Sequence, residues 1–151
     1  MAECVILVGV PAAGKTTFYR QNFAASHRHV SKDLCPNASG REARQRRALT
    51  EALGSGASVV VDNTNPSVAE RARIIAIAHA SGARVVGYFF DVTTRQAIAR
   101  NAERGDPKRV PNVAIFTVAK RLEPPTRAEG FDELFRVALT PDRTFSVVEI
   151  V

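Results

Sequence analysis

The chain has no tryptophan, a single methionine, two cysteines and three histidines among its 151 residues. Cys4 and Cys35 form no Cys-x-x-Cys pair, so neither a zinc site nor a disulfide framework is expected. Cys4 sits in an apolar run and reads as a buried strand residue, Cys35 as incidental. Aromatic residues are only 7% of the chain and are not interleaved with basic ones, so no platform for stacking bases is evident. No apolar run reaches the roughly 18 residues of a membrane span. The first apolar segment, Cys4-Val5-Ile6-Leu7-Val8, is too short for a signal peptide and has no basic stretch before it. The expectations are no membrane association and a cytoplasmic location. Repeats, low-complexity tracts and interdomain linkers are missing too, and residues 1–151 amount to one domain's worth of chain. A content of 45% hydrophobic and 24% charged residues is ordinary for a globular protein.

What is present is concentrated in a few places. Directly after the first apolar run comes Gly9-Val10-Pro11-Ala12-Ala13-Gly14-Lys15-Thr16-Thr17. A buried strand, a Gly-rich turn ending in Gly-Lys-Thr and a helix start form the phosphate-binding loop in its expected context. Successive N–H groups of such a turn converge on a phosphate, and the following helix N-terminus adds partial positive charge. The expected ligands are ATP and Mg²⁺, held by Gly9, Ala12, Ala13, Gly14, Lys15, Thr16 and Thr17. Lys15 would reach the β- and γ-phosphates, and the Thr16 hydroxyl would serve the metal.

Strand and helix signals alternate from there on. Strands are expected at Cys4–Val8, His29–Ser31, Val59–Val61, Val85–Phe90, Leu134–Leu139 and Phe145–Val151. Helices are expected at Thr17–Ala24, Arg41–Leu53, from Ser67 to Ala80, from Thr94 to about Arg104, and from Pro111 or Asn112 to about Leu122. Ser67 reads as a cap, with Glu70 completing a capping box. Continuous apolar strands alternating with helices predict an α/β fold of the P-loop NTPase type: a mostly parallel sheet, helices on both faces and a small helical lid. Ligands of such sheets bind outside the carboxyl ends of the strands. Those ends carry the polar residues: Gly9, Ser31-Lys32-Asp33, Asp62-Asn63-Thr64-Asn65 and Asp91.

Two carboxylates stand out. Asp33, after the second strand, could accept a proton from an attacking hydroxyl, or could cap the next turn or helix. Asp62 ends the β-branched run Val59-Val60-Val61 and could hold the Mg²⁺ shell beside Thr16, orient an acceptor, or form an Asx turn into Pro66. Basic residues exceed acidic ones by 21 to 15, a net charge of +6, with a sequence pI near 10.0. That balance suits an anionic partner such as a nucleic acid, although ATP-binding proteins are often basic in any case. Arg41, Arg44 and Arg47 share a helix face, as do Arg100 and Arg104. Like charges so spaced repel unless an anion lies between them. The stretch Arg100–Arg109, with Gly105-Asp106-Pro107 inside it, reads as a lid, and an arginine there could neutralise charge on a transferring phosphoryl group.

Taken together, these blocks resemble the kinase domain of the polynucleotide 5′-hydroxyl kinases over about residues 5 to 137. The phosphate loop carries Pro11 and Phe18, Val30-Ser31-Lys32-Asp33 is similar to the block bearing that family's general base, and Val61-Asp62-Asn63-Thr64-Asn65-Pro66 to its Asp-Asn-Thr-Asn signature. Arg100-Asn101 through Arg104, then Val110-Pro111, resembles its lid, and Glu123-Pro124-Pro125-Thr126 with Glu129-Gly130-Phe131 its closing segment. The resemblance implies ATP-dependent phosphorylation of a 5′-hydroxyl end of DNA or RNA. Lys15, Asp33 and Arg104 would then be catalytic, with Asp33 the general base and Arg104 the lid arginine. Asp33, Asp62 and Thr64 would meet the acceptor, and Thr16 and Asp62 the metal; Arg44 is a further candidate for the acceptor, outside the resemblance. One departure is plain: several relatives carry an arginine three residues after the base, where this chain has Pro36, and the Arg41–Arg47 helix is the candidate substitute. The Asp-x-Asp-Gly-Thr block of the 3′-phosphatase often fused to such kinases is absent from these residues. A kinase of a small-molecule hydroxyl and a non-catalytic ATP-binding module are the competing readings, and no protein partner is inferable.

Overall fold

Every residue from Cys4 to Val8 is 0% exposed, because the strand they form has neighbours on both edges and helices on both faces. This computed structural model describes residues 2–34, 39–105 and 108–151. Cys35, Pro36, Asp106 and Pro107, to which the sequence drew attention, lie outside the described residues. The strands are β1 (Glu3–Val8), β2 (Arg28–Val30), β3 (Val59–Asp62), β4 (Arg84–Phe90), β5 (Glu133–Leu139) and β6 (Phe145–Glu149). The helices are α1 (Lys15–Asn22), α2 (Arg41–Gly54), α3 (Val68–Ala80), α4 (Thr94–Ala102) and α5 (Asn112–Arg121), with short 3₁₀ turns at Lys32–Leu34 and Arg127–Glu129.

The strands form one sheet in the order β2-β3-β1-β4-β5-β6. The first five run parallel, and β6 returns antiparallel along β5. Period-2 alternation divides β1 between two cores. Cys4, Ile6 and Val8 pack with Leu49, Leu53, Ile74 and Ile75 of α2 and α3. Val5 and Leu7 pack with Phe18, Ala97 and Ile115 of α1, α4 and α5. No described helix is long and apolar enough to cross a membrane.

Element boundaries depart from the expected ones for local reasons. Helix α1 begins at Lys15 rather than Thr17, because Gly14 takes a left-handed φ of 99° and the helix starts directly after it. Helix α4 ends at Ala102, not Arg104. There Glu103 and Arg104 donate to carbonyls three residues back, a tightened last turn. Beside it the buried Asn101 side chain ties the chain to Val110 through both its amide nitrogen and its oxygen. Ser67 caps α3 by accepting from the Glu70 N–H at 3.1 Å. The expected capping box is only half made, because the Glu70 carboxylate turns to Arg121 at 2.7 Å. Full boxes occur instead at Thr93–Gln96 and Thr126–Glu129.

Gly87 of β4 marks a close approach. A Cβ there would sit 2.6 Å from Phe131 Cε1 and 2.8 Å from Leu134 Cδ1. Both neighbours are buried, so Gly87→Ala is expected to destabilise the fold by about 1–3 kcal/mol. Urea titration checks this as a lower midpoint at unchanged slope; an unchanged midpoint would mean that the ring moves aside freely.

Candidate active site

Parallel pairing sets Asp62 opposite Leu7 in the register of β3 on β1. The carboxylate at the end of β3 thus lies beside the start of the Gly9–Thr17 loop, at the carboxyl edge of the sheet. The loop packs closely on its surroundings. A Cβ on Gly9 would sit 2.9 Å from Phe90 Cβ. One on Gly14 would sit 2.9 Å from the Phe145 ring and 3.2 Å from Arg100 Nη2. Ala12 is left-handed, with φ 63°, and Ala12, Ala13 and Gly14 are buried while Thr17 is half-buried.

Lys15 is 8% exposed. Its Nζ donates to the carbonyls of Gly9 at 3.1 Å and Val10 at 2.7 Å, so the loop curls around its own lysine. Burial pushes the Lys15 amine down from 10.5 to about 8. Asp62 works against that shift, Arg104 adds to it, and Asp33 again works against it. Residues 33, 62 and 104, from three separate segments, therefore lie close enough to act on one ammonium group.

Thr16 donates its hydroxyl to Asp62 Oδ2 at 2.7 Å. His29 Nε2 meets the same oxygen at 2.8 Å, and the His29 ring stacks on Tyr19 with centroids 4.2 Å apart. Burial works to raise the Asp62 pKa, but hydrogen bonds from His29 and Thr16 and the charge of Lys15 prevail and hold the carboxyl below the usual carboxylate range. A hydroxyl and an ionised carboxylate side by side are hard oxygen donors that suit Mg²⁺, an ion that completes its shell with water and substrate phosphates. Among the described residues no cluster of three His, Cys, Asp or Glu side chains could hold a metal by itself.

Asp33 lies in the 3₁₀ turn after β2 and is exposed. It does not cap α2, whose N-cap is Gly40. The Asp33 N–H donates to Ser31 Oγ at 3.2 Å, and the Lys32 N–H to Asn63 Oδ1 at 2.9 Å. Asn63 donates in turn to Gln45 of α2, so this turn, the end of β3 and α2 are joined. Arg44 is exposed on α2, one residue before Gln45. Arg104 is half-buried just past α4. Thr64 contributes its backbone: its carbonyl accepts the Gly9 N–H at 3.0 Å.

Asn65 differs from expectation. It does not offer its amide to the site edge but is 5% exposed and donates to the Leu7 carbonyl at 2.7 Å. Sequence reasoning also passed over His29, Tyr19 and Gln45, and Arg71, which is 0% exposed in the first turn of α3.

Comparison with known proteins finds kinase-named relatives and neighbours of the chain. The chain is 30% identical over 139 residues to a bifunctional polynucleotide phosphatase/kinase of Schizosaccharomyces pombe, across 89% of this chain and 33% of that protein. It spans about a third of the length of the curated relatives it matches. Its fold resembles a fungal RNA kinase with a TM-score of 0.71 at 15% identity, covering 95% of this chain and 79% of that one. It also resembles a gluconokinase from Sinorhizobium meliloti with a TM-score of 0.65 at 18% identity, covering 90% and 82%. Residues 4–125 match the AAA domain family. With a phosphate loop on a mostly parallel sheet and this match over most of its length, the chain belongs to the AAA domain family and has the α/β P-loop fold.

Proposed function

We propose that the protein transfers the γ-phosphoryl group of ATP to the 5′-hydroxyl end of a DNA or RNA strand. The observation that carries this reading is the Thr16 hydroxyl on the Asp62 carboxylate at 2.7 Å beside the buried Lys15, with the exposed Asp33 on the same carboxyl edge of the sheet. A bare nucleotide-binding module needs the loop and its lysine but not an exposed carboxylate across from it.

The Gly9–Thr17 N–H groups and Lys15 hold the triphosphate. Thr16 and Asp62 are the residues that would hold Mg²⁺, which when bound neutralises charge on the phosphate oxygens. Asp33 accepts the proton of the 5′-hydroxyl as its oxygen forms the new bond to the γ-phosphorus, and the bond to the β-phosphate oxygen breaks to release ADP. Arg104 would offset charge on the transferring group. Phosphoryl transfer asks mainly for position and charge, which fits a site built from a loop, two carboxylates and arginines. The acceptor strand runs toward α2, where Arg44 meets its phosphates. The similarity to a protein named polynucleotide phosphatase/kinase supports this acceptor class.

ADP release is the test. A 5′-hydroxyl oligonucleotide should stimulate it, and the same oligonucleotide already 5′-phosphorylated should not. Equal stimulation by both, or by neither, would contradict the reading. Pro36, where the resemblance leads one to expect an arginine, favours a small hydroxyl acceptor. Salt separates the two cases, since a polynucleotide loses affinity steeply as ionic strength rises. Arg44→Ala should raise KM for oligonucleotides alike across sequences and lower the salt slope by about one charge, with KM for ATP unchanged. An unaltered salt slope would remove Arg44 from the acceptor site.

A further inference from the structure

The closing segment 123–131 takes no part in the chemistry above, yet a line of buried contacts joins it to the phosphate loop. Arg71 of α3 is 0% exposed. Its Nε and Nη2 donate to the two carboxylate oxygens of Glu129 at 2.8 and 3.0 Å. Glu129 is itself oriented by the Thr126 N–H, which donates to Oε2 at 2.9 Å. The remaining terminal nitrogen, Arg71 Nη1, donates to the Asn65 carbonyl at 2.9 Å. Asn65 has a left-handed φ of 44°, and its Nδ2 reaches the Leu7 carbonyl at 2.7 Å. The preceding carbonyl, that of Thr64, takes the Gly9 N–H at 3.0 Å. The turn after β3 is thus fastened to the end of β1 on both sides, and Asp62 stands at the start of that turn.

A buried ion pair is a weak device for stability, because desolvation cancels much of the attraction, but its directional bonds can define one geometry. The bidentate pair with Glu129 needs only Nε and Nη2 of the guanidinium. Nη1 is left over, and it is the nitrogen that holds the site turn. The geometry points to Arg71 as a positioning residue, backed by Glu129, that holds the Asp62–Asn65 turn against the phosphate loop and so sets the Asp62 carboxylate at hydrogen-bond distance from Thr16. This rests on the reading of Thr16 and Asp62 as the Mg²⁺-ATP pair and is independent of which acceptor is used.

The test uses Arg71→Lys, which keeps a cation for Glu129 but lacks the planar fork that serves both sides. Asn65→Gly is the second variant; it keeps the left-handed backbone and removes the bond to Leu7. Thermal melts locate a temperature at which each is folded. There, binding of a fluorescent ATP analogue is measured with Mg²⁺ and with EDTA, alongside kcat and KM. The expected result is that the gain in affinity due to Mg²⁺ falls by roughly 10–100-fold. Affinity in EDTA should stay near that of the parent, and kcat should fall with the acceptor KM unchanged. If Arg71→Lys does not fold, Asn65→Gly decides. Folded variants with the parent's Mg²⁺ gain and kcat, or loss of fold in both, would overturn the proposal and leave the network a role in stability alone. A parent protein that phosphorylates no 5′ end would sink the functional reading, while the Mg²⁺ comparison would still decide this one.

Discussion

Asp33→Ala lowers the rate of phosphoryl transfer by about 10²–10⁴-fold, the range expected for loss of a positioned general base, while ATP binds as before. The asymmetry follows from position. Asp33 is exposed on the turn after β2, and the loop that holds ATP is built from β1 and α1. Its backbone is fixed by Ser31 and, through Lys32, by Asn63, so removing the carboxylate leaves the turn in place. It does remove one charge that favours the ammonium form of Lys15; that influence ranks below burial and Asp62, so nucleotide affinity changes little. Single-turnover transfer and equilibrium ATP binding, measured side by side, check the split. A parallel fall in both would make Asp33 part of the donor site rather than the base.

Lys15→Met reduces transfer by about 10²–10³-fold, as loss of a preorganised charge on the transferring group would, and it also changes how stability depends on pH. In the folded protein Lys15 titrates at about 8 against an ordinary value of 10.5. Between those values the unfolded chain binds more protons than the folded one, so stability rises with pH. The cost of burying the charged amine is fully present below about pH 8 and disappears as pH climbs to 10.5. Relative to Lys15→Met, the parent should gain about 3 kcal/mol over that interval. Urea titrations of both proteins at pH 7 and pH 10.5 measure the difference, and parallel behaviour would mean that the lysine is solvated. Met also leaves the Gly9 and Val10 carbonyls without the donor they have now, so the pH dependence of the difference is the informative quantity. A lysine held charged against its surroundings at neutral pH is stability given up for phosphate binding.

The architecture was legible because its signals are local. The run Cys4–Val8, the Gly-Lys-Thr turn and the β-branched Val59–Val61 each carry their own pattern, and their alternation with helices implies a parallel sheet. The phosphate loop and Asp62 were legible for the same reason, and their meeting at Thr16 is a consequence of the β1–β3 register. Helix ends were less so, since α4 stops where a buried asparagine bonds to a residue nine positions on. Arg71 was missed because a charged residue on a helix reads as solvent-facing until its partner, 58 positions away, is known. His29 has a partner 33 positions away, and a lone histidine in a short strand announces nothing. Asn65 was placed at the site by proximity in sequence, but its left-handed backbone turns the amide inward to β1. Pairings set by three-dimensional closure rather than by spacing are the common factor in these misses.

The measurement that bears most directly on the proposed reaction is transfer from γ-labelled ATP with Mg²⁺ to 5′-hydroxyl DNA and RNA oligonucleotides, followed by digestion of the product to 5′-mononucleotides. Label is expected on the 5′-terminal nucleotide alone, and with Asp33→Ala it should appear about 10²–10⁴-fold more slowly. Label that stays with inorganic phosphate, or that passes to a small hydroxyl compound and to no oligonucleotide, would contradict the proposed reaction.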